Sequence, residues 1–205
     1  MTLGMKFNTE AKQYGFQDGD ILVGTDKGEF KDFSADMYRD LSEATRADII
    51  RDGKAMSISL PGEINLLGML KAEPSFVRPL IPAVVDSVME GTPAAKMGLQ
   101  KGDKIVGING KPVDSYNEFT DQLGVLEDMM TGAKTQADSL KIRTVSIVYE
   151  REGLVKDSTD ASKAVTAMIA DTAAVTLTPE LKLGFMVKTV AGLYEPITKE
   201  YGFYS

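Results

Sequence analysis

The sequence contains no histidine and no cysteine. Without histidine the chain lacks the commonest metal ligand and the commonest general base. A zinc site would then have to be built from carboxylates alone, which is uncommon for zinc. Without cysteine the chain forms neither disulfides nor thiolate sites. The sequence therefore predicts no catalytic residue and no metal ligand within this chain.

Long hydrophobic runs and an excess of positive charge are also missing. No run approaches the length of a membrane span, and the net charge is −7, from 23 basic and 30 acidic residues. This charge disfavours nucleic acid or anionic lipid as the main partner. The hydrophobic content of 43% is ordinary for a globular protein, and 205 residues suffice for one large or two small domains.

The most informative stretch of the chain is residues 91–113. Thr92 can cap a short helix that Gly98 ends, because glycine enters the left-handed conformation without a Cβ clash. Gly102-Asp103 is typical of a second tight turn, and residues 104–110 of a strand followed by an Asn-Gly hairpin turn. This order resembles the signature of bacterial PDZ domains.

The same passage occurs a second time. Residues 11–24 align with residues 94–107 at a constant offset of 83, with seven of fourteen positions identical. A long period of this kind indicates two copies of one domain rather than a solenoid. Asp20 and Asp103 each follow a glycine, so we expect them to accept hydrogen bonds from nearby backbone amides. The charged residues 150–152 are interpreted as a solvated strand end.

The resemblance predicts an α+β chain of two PDZ-like domains, each a small open β-barrel capped by helices. The first domain, residues 1–62, is predicted to be abbreviated and to lack a counterpart of the second domain's strand at residues 82–88. The second domain, residues 63–192, carries an insertion around residues 153–178, for which helix and hairpin both stay open. Residues 193–205 form an aromatic, juxtamembrane-like tail.

Residue periodicity and capping signals predict the main elements of both domains. The predicted helices are residues 34–44 and 115–131, and the predicted strands are residues 3–7, 55–60, 82–88, 142–149 and 183–187.

In PDZ domains a Leu-Gly-apolar turn presents backbone N–H groups that hold a chain-terminal carboxylate, and the following strand accepts the peptide as an added strand. The resemblance assigns this peptide-binding role to Leu67, Gly68, Met69 and Leu70, with Phe119 and Leu123 as the groove wall on the helix. The alternative is that these residues only close the barrel and the groove is vacant.

The tandem is similar to the periplasmic region of a site-2 protease, a membrane-embedded zinc metalloprotease of the regulator of sigma-E type. The resemblance implies a non-catalytic region that controls substrate access or recognises substrate C-termini, for example those of an anti-sigma factor. It implies a position at the periplasmic face of the inner membrane, reached through flanking helices. No cofactor is expected in this chain, and zinc is expected in the membrane part of the parent.

Three alternatives stay open. The chain could be the PDZ region of an envelope HtrA-like serine protease, for which a Gly-x-Ser-Gly segment upstream would be evidence. It could be a stand-alone peptide-binding scaffold. A hydrolase that uses carboxylates alone is the last alternative, and turnover by the purified chain would support it.

Overall fold

The computed structural model describes residues 3–31, 33–156 and 164–188. The chain forms two compact units that divide between Leu80 and Ile81. This division differs from the predicted boundary at residue 62, because Met69, Phe76 and Val77 are buried in the core of the first unit. The predicted tail and the centre of the predicted insertion, residues 157–163, lie outside the described residues.

The first unit has a four-stranded antiparallel sheet of order β3-β2-β4-β5 and a two-stranded sheet that joins β1 to β6. Its elements are β1 (Met5–Phe7), α1 (Thr9–Gln13), β2 (Ile21–Thr25), β3 (Gly28–Glu29), α2 (Ala35–Glu43), β4 (Arg46–Arg51), β5 (Lys54–Ser59), α3 (Leu66–Lys71) and β6 (Val77–Pro79).

The second unit repeats this architecture, with a four-stranded sheet of order β11-β10-β8-β9 and a two-stranded sheet that joins β12 to β7. In both units the sheets are open and do not close into barrels. Its elements are β7 (Val85–Val88), α4 (Pro93–Lys96), β8 (Lys104–Ile108), β9 (Lys111–Pro112), α5 (Tyr116–Thr131), α6 (Gln136–Arg143), β10 (Thr144–Lys156), β11 (Ala164–Thr176) and β12 (Phe185–Val187).

The two long predicted helices are confirmed. Helix α2 begins after Ser34, and helix α5 begins after Ser115, whose hydroxyl accepts a hydrogen bond from the Glu118 N–H at 3.2 Å. The open choice over the insertion is decided in favour of a hairpin, because β10 and β11 pair along their whole length. The sequence pattern does not predict α6, which buries no residue and so lacks an apolar stripe.

The first unit contains the strand that the sequence led us to expect it to lack. Met5 exchanges two backbone hydrogen bonds with the turn at residues 19–20, and Val85 exchanges the equivalent two with residues 102–103, all four at 2.8 Å. Strand β1 therefore holds the place of β7, and the expectation was wrong. The first unit is shorter elsewhere: α2 has 9 residues against 16 in α5, and β4 and β5 have 6 each against 13 in β10 and β11.

The duplicated turn has the same backbone conformation in both units. Gly15 and Gly98 have φ angles of +101° and +78°, in the left-handed region that favours glycine. In each unit the helix ends just before this glycine, and the chain then turns towards the next strand. The resemblance seen in the sequence is therefore a resemblance of backbone geometry.

The aspartate of each turn is held by an arginine from a distant strand. Arg51 donates two hydrogen bonds to the Asp20 carboxylate, both at 2.7 Å, and one to the Gly15 carbonyl at 2.9 Å. In the second unit Arg151 binds Asp103 at 2.7 and 2.6 Å and the Gly98 carbonyl at 2.9 Å. The interpretation of residues 150–152 as a solvated strand end is therefore wrong for Arg151.

Each aspartate also accepts a backbone N–H, as predicted. The Gln17 N–H donates to Asp20 at 2.8 Å, and the Gln100 N–H donates to Asp103 at 2.7 Å. The hydrogen bonds to the aspartates raise the pKa of both arginines, so both guanidinium groups stay charged. We refer to these two arrangements as the Asp–Arg clamps.

A third carboxylate, Asp18, ties β1 to α1 in the first unit. It accepts hydrogen bonds from the Phe7 N–H at 2.9 Å and from Lys12 at 2.8 Å, and its carboxylate lies 3.0 Å from the ammonium of the nearly buried Lys6. Burial acts to raise the pKa of Asp18. The contacts with Lys12, Phe7 and Lys6 together outweigh burial, and the pKa is lowered.

This lowered pKa predicts that Asp18 makes the first unit sensitive to acid. A carboxyl whose pKa is lower in the folded state contributes stability that is complete above its unfolded value, about 4, and is lost as the pH falls through the folded value. We therefore expect Asp18→Asn to lower Tm at pH 7 and to lower it progressively less below about pH 4. Thermal unfolding measured from pH 7 to pH 2 checks this, with Asp36→Asn at an exposed carboxylate as the control. A Tm difference independent of pH would contradict it.

Candidate functional site

Helix α5 and strand β12 lie side by side in the second unit, and we refer to the surface along their contact as the groove. The ring centroid of Phe185, on β12, lies 5.6 Å from that of Phe119 and 5.9 Å from that of Tyr116, both on α5. Leu123, one turn further along α5, is partly buried against the same core. The start of α5 therefore runs beside β12, and aromatic rings join the two.

Strand β12 is an edge strand. It pairs antiparallel with β7, with Phe185 opposite Val88 and Met186 opposite Ser87. Over residues 3–31, 33–156 and 164–188, no second strand pairs with β12. An edge strand beside an apolar groove presents unpaired backbone groups to which an extended peptide can add as a new strand.

The loop that leads into β12 is docked on the start of α4 through its carbonyl groups. The Leu183 carbonyl accepts a hydrogen bond from the Ala94 N–H at 2.8 Å. The Gly184 carbonyl accepts one from the Met89 N–H at 3.1 Å. The Thr92 hydroxyl oxygen lies 3.2 Å from the Gly184 carbonyl, but its single proton is donated to the closer Met89 carbonyl, at 2.6 Å. Both carbonyls of the loop thus point at the segment that carries α4.

This docking turns two N–H groups away from the α4 segment. In a trans peptide unit the C=O and N–H groups point in opposite directions. Since the Leu183 and Gly184 carbonyls point at the α4 segment, the N–H groups of Gly184 and Phe185 point away from it. Free N–H groups at the start of an edge strand suit a chain-terminal carboxylate. We call this loop the cradle.

The cradle requires glycine at position 184. Gly184 has a φ of +95°, a conformation that residues with a side chain rarely adopt. A Cβ atom at this position would lie 2.2 Å from the Thr92 Cβ, far inside contact distance. The close approach of the loop to Thr92 therefore depends on the missing side chain.

The structure divides the residues predicted to bind peptide between the two units. Phe119 and Leu123 lie on α5, at the groove of the second unit. Leu67, Gly68, Met69 and Leu70 lie on α3, in the first unit.

The helical segment does not have the form that the prediction required. It is a helix rather than a turn, and the Gly68 N–H already donates to the Asn65 side chain at 3.0 Å. Met69 is buried in the first unit's core, while Leu67 and Leu70 are exposed. The N–H groups of this segment therefore do not converge on a free carboxylate site.

The cradle consists of Leu183, Gly184 and Phe185. From the sequence these residues were predicted only as part of a closing strand. They repeat the Leu-Gly-apolar pattern that also occurs at residues 3–5, 67–69 and 123–125. The four copies look alike in sequence. Their distinction comes from strand pairing, since β12 joins β7 across about a hundred residues of chain.

Comparison with known proteins agrees with this geometry. Residues 84–122, from the start of β7 into α5, match the sequence profile of the PDZ domain. The chain contains a PDZ domain. Its architecture is the α+β PDZ-like fold that the sequence predicted, with open sheets and mixed helices and strands.

The PDZ-containing chain is also similar to the periplasmic serine endoprotease DegP of Salmonella typhimurium. The two are 27% identical over 126 residues, which cover 55% of this chain. The match spans 26% of the length of DegP, so this chain resembles about a quarter of that protein. A polypeptide partner is the partner type that PDZ domains take, as strand-addition modules for peptides.

Proposed function

We propose that the second unit binds the C-terminal end of a polypeptide, with the terminal carboxylate in the cradle and the preceding residues added as a strand to β12. The observation that carries this proposal is the direction of the Gly184 and Phe185 N–H groups, set by the bonds of the two loop carbonyls to the Ala94 and Met89 N–H groups. Apolar contact with the partly buried Leu123 favours an apolar last side chain.

The test is calorimetric titration of the full chain with hexapeptides that end in valine or leucine. Each peptide is compared with the same sequence amidated at its C-terminus. We expect the free acid to bind at least about tenfold more tightly, because the amide removes the charge that the two N–H groups stabilise. Equal affinity of acid and amide would contradict carboxylate recognition, and no heat from any peptide would contradict peptide binding.

We further propose that this module serves a protease of the bacterial envelope. The similarity to DegP favours a periplasmic serine endoprotease as the parent, with the PDZ region recognising substrate ends. Under this proposal the chain itself supplies no catalytic group. Within the residues that the structure describes, no cluster of acidic side chains could hold a metal and no helix is long and apolar enough to cross a membrane.

The site-2 protease stays the second candidate parent, with zinc in its membrane part and an anti-sigma factor as a substrate. The feature that favours it is the shorter first unit placed before a longer PDZ unit. Reading the coding sequence on both sides of this chain distinguishes the two parents. A Gly-x-Ser-Gly segment upstream identifies the serine protease, and a His-Glu-x-x-His helix identifies the site-2 protease.

A further inference from the structure

The first unit has its own counterpart of the groove, built from α2 and β6. The Asn8 N–H donates to the Phe76 carbonyl at 3.1 Å, as the Met89 N–H donates to the Gly184 carbonyl at 3.1 Å. The next pair along the strands is Phe7 with Val77 in the first unit and Val88 with Phe185 in the second. By this register, Phe76 holds the place of Gly184, and Val77 holds the place of Phe185.

The carbonyl that an added strand would need in the first unit is already bonded within the unit. Successive carbonyls of a strand point to opposite edges. Because the Phe76 carbonyl points at β1, the Val77 carbonyl points at the outer edge of β6. There it accepts a hydrogen bond from the Tyr38 hydroxyl on α2, at 2.7 Å.

The Tyr38 hydroxyl is a persistent donor. Burial raises the pKa of Tyr38, and the bond to Val77 only partly offsets this effect. The hydroxyl is therefore protonated throughout the neutral range. This hydroxyl is partly buried, and its bond to the carbonyl is costly to displace unless another donor replaces it.

The second unit lacks this closure. Tyr38 is the fourth residue after the capping residue Ser34 of α2, and Phe119 is the fourth residue after the capping residue Ser115 of α5. Phe119 lies against Phe185 as Tyr38 lies against Val77, but phenylalanine has no hydroxyl to donate.

The first unit also lacks the glycine of a cradle. Phe76 stands at the position equivalent to Gly184 and is fully buried, with its ring centroid 6.4 Å from that of Tyr14. With this side chain the segment cannot make the close approach that the missing side chain of Gly184 allows in the second unit. This observation is independent of the Tyr38 bond and agrees with it.

We propose that Tyr38 closes the first unit to strand addition, so that each chain binds one polypeptide end, in the second unit only. This inference rests on the proposed peptide binding by the second unit and assigns the first unit a different part. The two copies of the module have diverged. In the first unit a side chain of helix α2 occupies the edge of β6, and in the second unit the edge of β12 is available to a peptide.

The test is backbone amide NMR of the full chain, titrated with the valine-terminated hexapeptide and its amide. In the wild type we expect the free acid to shift amides at residues 184–187 and to leave those at residues 76–78 in place, with one peptide bound per chain. Shifts at both sites would overturn the closure while leaving the proposed function standing. Shifts at neither site would contradict the proposed function itself.

Two variants of Tyr38 test the cause of the closure. Tyr38→Phe removes the donor and keeps the ring, and Tyr38→Ala removes both. We expect new shifts at residues 76–78 in these variants, of equal size for the acid and the amide, because the edge is then available but the cradle is not. An unchanged spectrum elsewhere in the chain shows that a variant is folded. If Tyr38→Ala does not fold, the result with Tyr38→Phe decides whether Tyr38 causes the closure. No peptide-induced shift at residues 76–78 in a folded variant would overturn the role of Tyr38.

Discussion

Asp103→Asn is expected to lower the free energy of unfolding of the second unit by about 3 kcal/mol, because it removes one partner of a buried ion pair. The Asp103 side chain is 1% exposed and accepts bonds from Arg151 and from the Gln100 N–H. The substitution leaves the Arg151 guanidinium beside a neutral amide and weakens the bond that shapes the turn. Arg151 is 36% exposed, so water recovers part of the loss.

Hydrogen exchange of the full chain, read by mass spectrometry, measures this effect in each unit separately. A loss of about 3 kcal/mol corresponds to exchange about 150-fold faster in the most protected peptides of the second unit. The equivalent change Asp20→Asn is expected to have at least as large an effect on the first unit, since Arg51 is only 19% exposed.

Asp86→Asn supplies the matched control for the clamp. It removes an ion pair with Lys101 in the same unit, but both side chains of that pair are exposed. An exposed ion pair contributes about 0.5 kcal/mol to the free energy of unfolding on average. The hydrogen-exchange protection of the second unit should therefore change little. Equal effects of Asp103→Asn and Asp86→Asn would show that the clamp does not stabilise the unit.

Gly184→Ala is expected to weaken binding of the free-acid peptide by at least about tenfold and to destabilise the second unit by about 3 kcal/mol, from backbone strain and overpacking together. The added Cβ would lie 2.2 Å from the Thr92 Cβ, so the loop must move away from α4. A movement of this kind changes the direction of the two cradle N–H groups. Calorimetry with the acid and amide peptides, together with a thermal melt, measures both effects.

Gly110→Ala is the control that separates the effect of backbone strain from the effect of moving the cradle. Gly110 also has a positive φ, +76°, but nothing lies within 4 Å of its Cβ position, and it lies in the turn between β8 and β9. We expect a loss of about 1 kcal/mol in stability and unchanged peptide affinity. If folded Gly184→Ala binds the free acid as tightly as the wild type does, the carboxylate is held elsewhere.

The features that the sequence predicted well are those set by short-range contacts. The turn at Gly98 depends on a left-handed glycine, and helix α5 depends on its cap at Ser115 and on an apolar stripe. All of these signals lie within a few residues of the feature they specify. The duplication was visible for the same reason, since each copy carries its own turn.

The features that the sequence did not predict are contacts between distant residues. Arg151 reaches Asp103 across 48 residues, and Tyr38 reaches Val77 across 39. Nothing near Arg151 in the chain distinguishes it from an exposed charge at the end of a strand. The predicted domain boundary came too early in the chain. Helix α3 and strand β6 follow the first four-stranded sheet in sequence, but they still belong to the core of the first unit.

By itself the sequence determined that a glycine-dependent turn occurs twice and that each copy is followed by a strand and a helix, because local backbone preferences specify these elements. Only the tertiary structure decided which of the four Leu-Gly-apolar segments is the cradle. That choice depends on which strand each segment pairs with and which helix lies beside it. In the first unit β1 pairs with a strand about seventy residues away, and the residue at the cradle position is the buried Phe76. In the second unit β7 pairs with a strand about a hundred residues away, and Gly184 lies beside the unpaired edge of that strand.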